Sequence, residues 1–157
     1  MAKENPLFFV SGGDDKLVNI YDIRVKFPVS SLVSSFQITS VEMNKEGNEV
    51  FSAGIDGIIR KYDLRNESEP IEVLSLPGHR DIITGISLSP DNSFLLSNSM
   101  DNYLAHWDLR PFISGGNSHS NRCIKTYEGF KHGAEKVLLK CSWSFDQTMV
   151  SCGSADR

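Results

Sequence analysis

Short apolar runs, each of strand length, follow one another along the chain and are divided by clusters of Gly, Ser, Asn and Asp. The runs are Leu7 to Val10, Leu17 to Tyr21, Val29 to Val33, a run marked by Ile38, Val41 and Met43, Val50 to Ala53, and Ile58 to Tyr62. They continue with Ile71 to Leu74, Ile82 to Leu88, Phe94 to Leu96, Tyr103 to Trp107, Cys123 to Tyr127, Val137 to Trp143 and Met149 to Cys152. Between them lie turn clusters such as Ser11 to Asp15, Asn44 to Asn48, Ser89 to Asn92 and Ser144 to Gln147. Met1 to Asn5 is too short and too polar to add a strand ahead of the first run. The pattern predicts an all-β fold.

The runs also repeat. In the stretch Gly78 to Arg110, which opens on Gly-His, Asp101 precedes the pair Trp107-Asp108 and Arg110 follows it. The same frame recurs as Asp56, Tyr62-Asp63, Arg65 and as Asp15, Tyr21-Asp22, Arg24. From Asp15 to Asp56 is 41 residues, from Asp56 to Asp101 is 45, and from Asp101 to Asp156 is 55. The first two intervals fit one four-stranded unit of a repeat protein, and the third carries an insertion at 111–122 that is rich in Gly and Ser. The division this predicts is the end of one unit and an outer strand at 1–33, a unit at 34–74, a unit with its insertion at 75–127, and an incomplete unit at 128–157.

Composition narrows the function. The formal charge of −4 with no block of like charges gives no surface suited to a phosphate backbone, so direct nucleic-acid binding is not expected. Three cysteines, Cys123, Cys141 and Cys152, lack the spacing of a zinc site or a disulfide framework. The longest N-terminal apolar run, Pro6 to Val10, is too short for a membrane span. Gly115-Gly116 has neither phosphate-loop pattern. Ser97, His79 and Asp101 form the trio of a hydrolase, but Ser97 is not in a G-x-S-x-G elbow and its equivalents recur without a histidine. No catalytic residue, cofactor, metal or small-molecule substrate is expected.

Gly-His, the turn Asp and Trp-Asp at these spacings resemble the WD-repeat family, which implies a β-propeller, here about half of a seven-bladed ring. The resemblance implies a structural tetrad in which His79 bonds Asp101 while Ser97 links His79 to the indole of Trp107. Equivalent positions are Ser11, Asp15 and Tyr21, then Ser52, Asp56 and Tyr62, then Cys152 and Asp156. The Ser34-Ser35 region has no Gly-His and His132 is offset by two residues, so those units are expected to use other bonds. The stretches LLSNSMDNYLAHWDLRPF, RCIKTYEG, LLKCSWS and GSADR further resemble the branch of the family found in the U5 small nuclear ribonucleoprotein of the spliceosome. Tyr21, Tyr62, His106 and the longer insertion depart from that pattern. The likeness implies a nuclear, non-catalytic scaffold for pre-mRNA splicing that binds the large scaffold protein of that particle, with Arg80, Asp81, Asn102 and Tyr103 as candidate contacts. YDIR, YDLR and WDLR also resemble the signature by which some WD-repeat substrate receptors dock on a cullin ligase adaptor, through Arg24, Arg65 and Arg110.

Overall fold

The turns recur with one geometry. Asn44, Ser89 and Ser144 each accept backbone N–H bonds at the foot of the next strand: Asn44 Oδ1 from Gly47, Asn48 and Glu49, Ser89 Oγ from Phe94, and Ser144 Oγ from Met149. Three residues after each, the backbone enters the left-handed region, at Gly47, Asn92 and Gln147. A second set of turns is made by Asp15, Asp56 and Asp101, whose Oδ1 atoms accept the N–H two residues on. The residue between, Lys16, Gly57 or Asn102, has φ of 65°, 70° or 65°. An aspartate that closes its own turn, followed by a left-handed residue, is a strong hairpin signal.

The structure, a computed structural model, describes residues 7–65, 71–111, 122–135 and 137–156. The connection Asn66 to Pro70, nearly all of the insertion and the first six residues lie outside these. Thirteen strands form four antiparallel sheets. The first holds β1 (Phe8–Gly12), β2 (Leu17–Asp22) and β3 (Ser30–Val33). The second holds β4 (Ile38–Met43), β5 (Glu49–Gly54), β6 (Ile58–Asp63) and β7 (Ile71–Pro77). The third holds β8 (Ile83–Leu88), β9 (Phe94–Ser99), β10 (Leu104–Asp108) and β11 (Cys123–Tyr127), and the fourth β12 (Cys141–Trp143) and β13 (Val150–Cys152). Each sheet is a meander of sequence neighbours, as a propeller blade requires.

Three strands differ most from the apolar pattern, and one of them is β9, which runs on past Leu96 to Ser99. β7 runs on to Pro77, since Ser75 pairs with Arg60 and Pro77 with Ile58. β12 starts only at Cys141, where Val137 was expected to begin it. The carbonyl of Leu139 bonds to the third sheet, accepting from Thr84 Oγ1 at 2.8 Å and Asn98 Nδ2 at 3.2 Å.

The sheets pack face to face through three apolar clusters. Val18, Ile20 and Leu32 meet Ile38, Met43, Val50 and Tyr62 between the first and second sheets. Phe51, Ala53, Ile59 and Leu76 meet Ile86, Leu95, Ala105 and Trp107 between the second and third. Leu96 and Leu104 meet Phe130 and Cys141 between the third and fourth. Along the inner edge the strands are also stitched by polar bonds. A register shift in β4 bulges out Thr39, and one in β8 bulges out Thr84. A bulge re-aims its extra side chain. Thr39 Oγ1 donates to Ile83 O in the next sheet, and Thr84 Oγ1 does the same to Leu139 O. Lys140 Nζ then reaches back to both bulge carbonyls, 3.0 Å from Thr84 O and 3.3 Å from Thr39 O.

Thr84 is fully buried, and valine would keep its shape while removing the bridging donor. Thr84→Val is expected to destabilise the fold by about 1 to 2 kcal/mol, and Thr84→Ser by less, read from the shift of the thermal midpoint.

Candidate functional site

The predicted tetrad assembles in the third sheet. Asp101 comes from the turn after β9, His79 from the loop between β7 and β8, Ser97 from β9 and Trp107 from β10. His79 Nδ1 lies 2.9 Å from Asp101 Oδ2, His79 Nε2 lies 2.6 Å from Ser97 Oγ, and Trp107 Nε1 donates to the same Oγ at 2.7 Å. The directions follow from the two ends. A carboxylate only accepts and an indole N–H only donates. His79 therefore gives its Nδ1 proton to Asp101, its bare Nε2 accepts the Ser97 hydroxyl proton, and the serine oxygen accepts from the indole. Gly78 makes room for this loop, since a Cβ there would stand 2.7 Å from Trp107 Cη2.

Asp101 accepts three hydrogen bonds. Besides His79 it takes the N–H of Arg80 at 3.0 Å and of Tyr103 at 3.0 Å. Burial raises its pKa, but these bonds and the nearby His79 outweigh it, so the carboxyl is held below its ordinary 3.8. Ser97 is fully buried, and its proton and a lone pair are both committed. The trio has the bond lengths of a nucleophilic triad with no route for a substrate to the hydroxyl. Its chemistry is cross-linking of strands.

The equivalent positions do not copy this arrangement. Asp56 meets Arg60, four residues on, at 2.6 Å, and Arg60 also approaches Glu72 at 3.8 Å. Ser52 is fully buried, and Tyr62 packs near it in the first apolar interface. In the first sheet Ser11 and Asp15 are exposed, Asp15 serves only its turn, and Tyr21 stacks on Phe9 at 4.8 Å. Cys152 stands opposite Cys141, and Asp156 bonds Ser154. His132 does not reach Asp156; its N–H donates to Asn102 Oδ1 at 2.8 Å and its Nε2 lies 3.4 Å from Asn98 Oδ1. The unusual Asn98 and Asn102 thus fasten the third sheet to the segment before β12. Arg60 was missed in the sequence, although a basic residue at the position of Ala105 was the available signal.

The three arginines repeat one clamp. In Asp22-Arg24, Asp63-Arg65 and Asp108-Arg110 the arginine folds back so that its backbone N–H and Nε meet Oδ1 while Nη2 meets Oδ2. The side-chain hydrogen bonds from Arg24 and Arg65 lower Asp22 and Asp63 to about 2, and the one from Arg110 holds Asp108 below its ordinary 3.8. The arginine side chains stay 64%, 70% and 57% exposed.

Of the other candidates, Asp81 caps the N–H of Ile82 and Asn102 is committed to the turn and to His132. Arg80 and Tyr103 are exposed. They border a cleft of about 560 Å³ between the second and third sheets, with Pro77, Ala105 and Trp107 as its apolar lining and Glu128 on its rim.

Comparison with known proteins agrees with this architecture. Residues 70–108 match the family model described as WD domain, G-beta repeat. The chain is a WD-repeat protein. This WD-repeat chain is 40% identical to the U5 small nuclear ribonucleoprotein 40 kDa protein of Mus musculus, over 99% of its own length and 41% of that protein. It is 39% identical to the pre-mRNA-splicing factor cwf17 of Schizosaccharomyces pombe, over 94% of the chain and 41% of that protein. It is 30% identical to a DDB1- and CUL4-associated factor 11 homolog of Caenorhabditis briggsae, over 74% of the chain and 22% of that protein. The chain spans about two fifths of the length of the splicing relatives. Its sheets form an open part of a propeller, and no closed ring is present among the described residues.

Ser97→Ala leaves both the indole N–H and His79 Nε2 without their partner, and is expected to cost about 1 to 3 kcal/mol in a denaturant or thermal melt. Acid provides a second check. A carboxyl lowered in the fold contributes stability that is complete above its unfolded pKa and is lost as pH falls through the folded one. For Asp22 and Asp63 that window runs from 3.8 down to about 2. Arg24→Gln with Arg65→Gln is expected to flatten the loss of melting temperature across this window.

Proposed function

We propose that this WD-repeat protein is a non-catalytic scaffold of the U5 particle in pre-mRNA splicing, acting in the nucleus. The observation that carries the reading is likeness along 99% of the chain to a protein named for that particle, supported by the splicing factor of fission yeast. The polar groups of the tetrad are used up inside the sheets, which suits a rigid platform and leaves recognition to surface residues. Docking of the particle's large scaffold protein takes place at the cleft bordered by Arg80, Tyr103 and Glu128, an apolar floor with a cation and an anion at its rim. Neither charge has an ion-pair partner among the described residues, so both are available to a partner. Mixed apolar and charged rims of this kind give specificity more than affinity.

A second reading, a receptor subunit that docks on a cullin ligase adaptor, has the likeness to the DDB1- and CUL4-associated factor and the exposed clamp arginines in its favour. The two readings separate in one experiment. The full-length protein, tagged and purified from nuclear extract, is expected to bring U5 proteins and U5 RNA with it. Arg80→Glu with Glu128→Lys should reduce that recovery at least several-fold without moving the melting temperature, while Arg65→Glu with Arg110→Glu should leave it intact. Recovery of a cullin adaptor, lost in the second double variant and unaccompanied by U5 components, would replace the scaffold by the receptor.

A further inference from the structure

Two histidines stand at the junction between the third and fourth sheets. His106 on β10 sits edge-on to Phe94 at 5.0 Å and to Trp143 of the fourth sheet at 5.2 Å. Its Nε2 is buried and has no hydrogen-bond partner. His132, in the segment leading to β12, is edge-on to Phe130 at 5.8 Å, and its Nδ1 is likewise buried without a hydrogen bond. A second proton on the His106 nitrogen would meet no acceptor, and one on His132 would meet only the backbone at Val137.

The charged groups around them offer little relief. His106 faces Lys125 across the β10–β11 ladder, Leu96 across the β9 ladder and Trp143 from β12, none of which is an anion. The nearest carboxylate, Asp108, lies two residues along the same strand and is held by Arg110. For His132 the facing anions are Asp101, which is already engaged by His79, Arg80 and Tyr103, and the exposed Asp81. Asn98 and the backbone near Val137 complete its surroundings. A buried imidazolium without a paired carboxylate is disfavoured.

We infer that the third-to-fourth sheet junction is an acid-labile seam, closed by neutral His106 and His132 and opened by their protonation while the second-to-third junction stays packed. The inference is independent of the splicing role. Burial holds both histidines below the ordinary 6.5, against the opposing pull of Asp108 on one and of the Val137 backbone, Asp101 and Asp81 on the other. Lys125 adds to the depression at His106. For such a group the unfolded or opened form binds the proton more tightly, so the closed form is at full stability above 6.5 and loses it as pH falls below. This window lies well above the carboxylate window of the clamps. The second-to-third junction contains neither ring, and its histidine, His79, has both nitrogens bonded.

The two tryptophans report the two junctions separately, since Trp107 is fully buried in the second-to-third interface and Trp143 is in the seam. Acrylamide quenching of the full chain is followed from about pH 7.5 to 5, beside far-ultraviolet circular dichroism. Trp143, half-buried in the closed form, is expected to become more quenchable below pH 6.5 with the β signal retained. The variant His106→Gln with His132→Gln, neutral throughout, should lose the step, and His106→Phe with His132→Gln serves the same purpose if the first variant folds poorly. An emission that stays protected to pH 5 overturns the seam. So does a step that persists in a folded double variant, or one that coincides with loss of the β signal.

Discussion

A β-sheet whose two faces are both apolar must be covered on both, and every feature of this chain follows from that demand. In the second and third sheets, alternate residues of each strand point to opposite neighbours. Phe51, Ala53 and Ile59 look one way and Tyr62 the other; Trp107 and Ala105 look back while Leu96 and Leu104 look forward. The apolar runs are therefore nearly continuous, unlike the alternation of a sheet that is wet on one side. Stacking repeated sheets around an axis satisfies the demand with one unit used again and again.

Polar residues inside such a stack have to find partners without water, and the chain solves the problem differently in each sheet. The third sheet uses a directed chain from indole to serine to imidazole to carboxylate. The second uses a guanidinium, Arg60, on the same turn aspartate. The inner strands use bulged threonines and a lysine that returns to the bulge carbonyls. Resemblance of the first of these to a hydrolytic triad is a consequence of ordinary hydrogen-bond complementarity among the same side chains, since a buried, doubly bonded serine has no access to a substrate. Function is left to the exposed rim, where Arg80, Tyr103 and Glu128 surround an apolar cleft.

Burial at the junctions also sets how each responds to solution conditions. The second-to-third interface is closed by satisfied groups, whereas the third-to-fourth interface contains the His106 ring with an unsatisfied nitrogen. A stack of repeats whose stability is a sum over neighbours can open at one junction and persist at the next.

The tetrad was legible through resemblance to the WD-repeat family, while the strand succession and the turn clusters were legible in the order of residues, because side-chain period and turn chemistry are local properties. Asp101, Trp107 and Arg110 could be named from spacing alone for that reason. What lay beyond reach was which polar group meets which across a sheet interface. Asn98 and Asn102 find the segment before β12, and Thr84 finds Leu139, 55 residues away, only because register shifts and sheet packing bring them together. The chain thus determines by itself the repeating unit, while the tertiary structure decides the contacts between units, because those depend on the relative placement of backbones that no local spacing encodes.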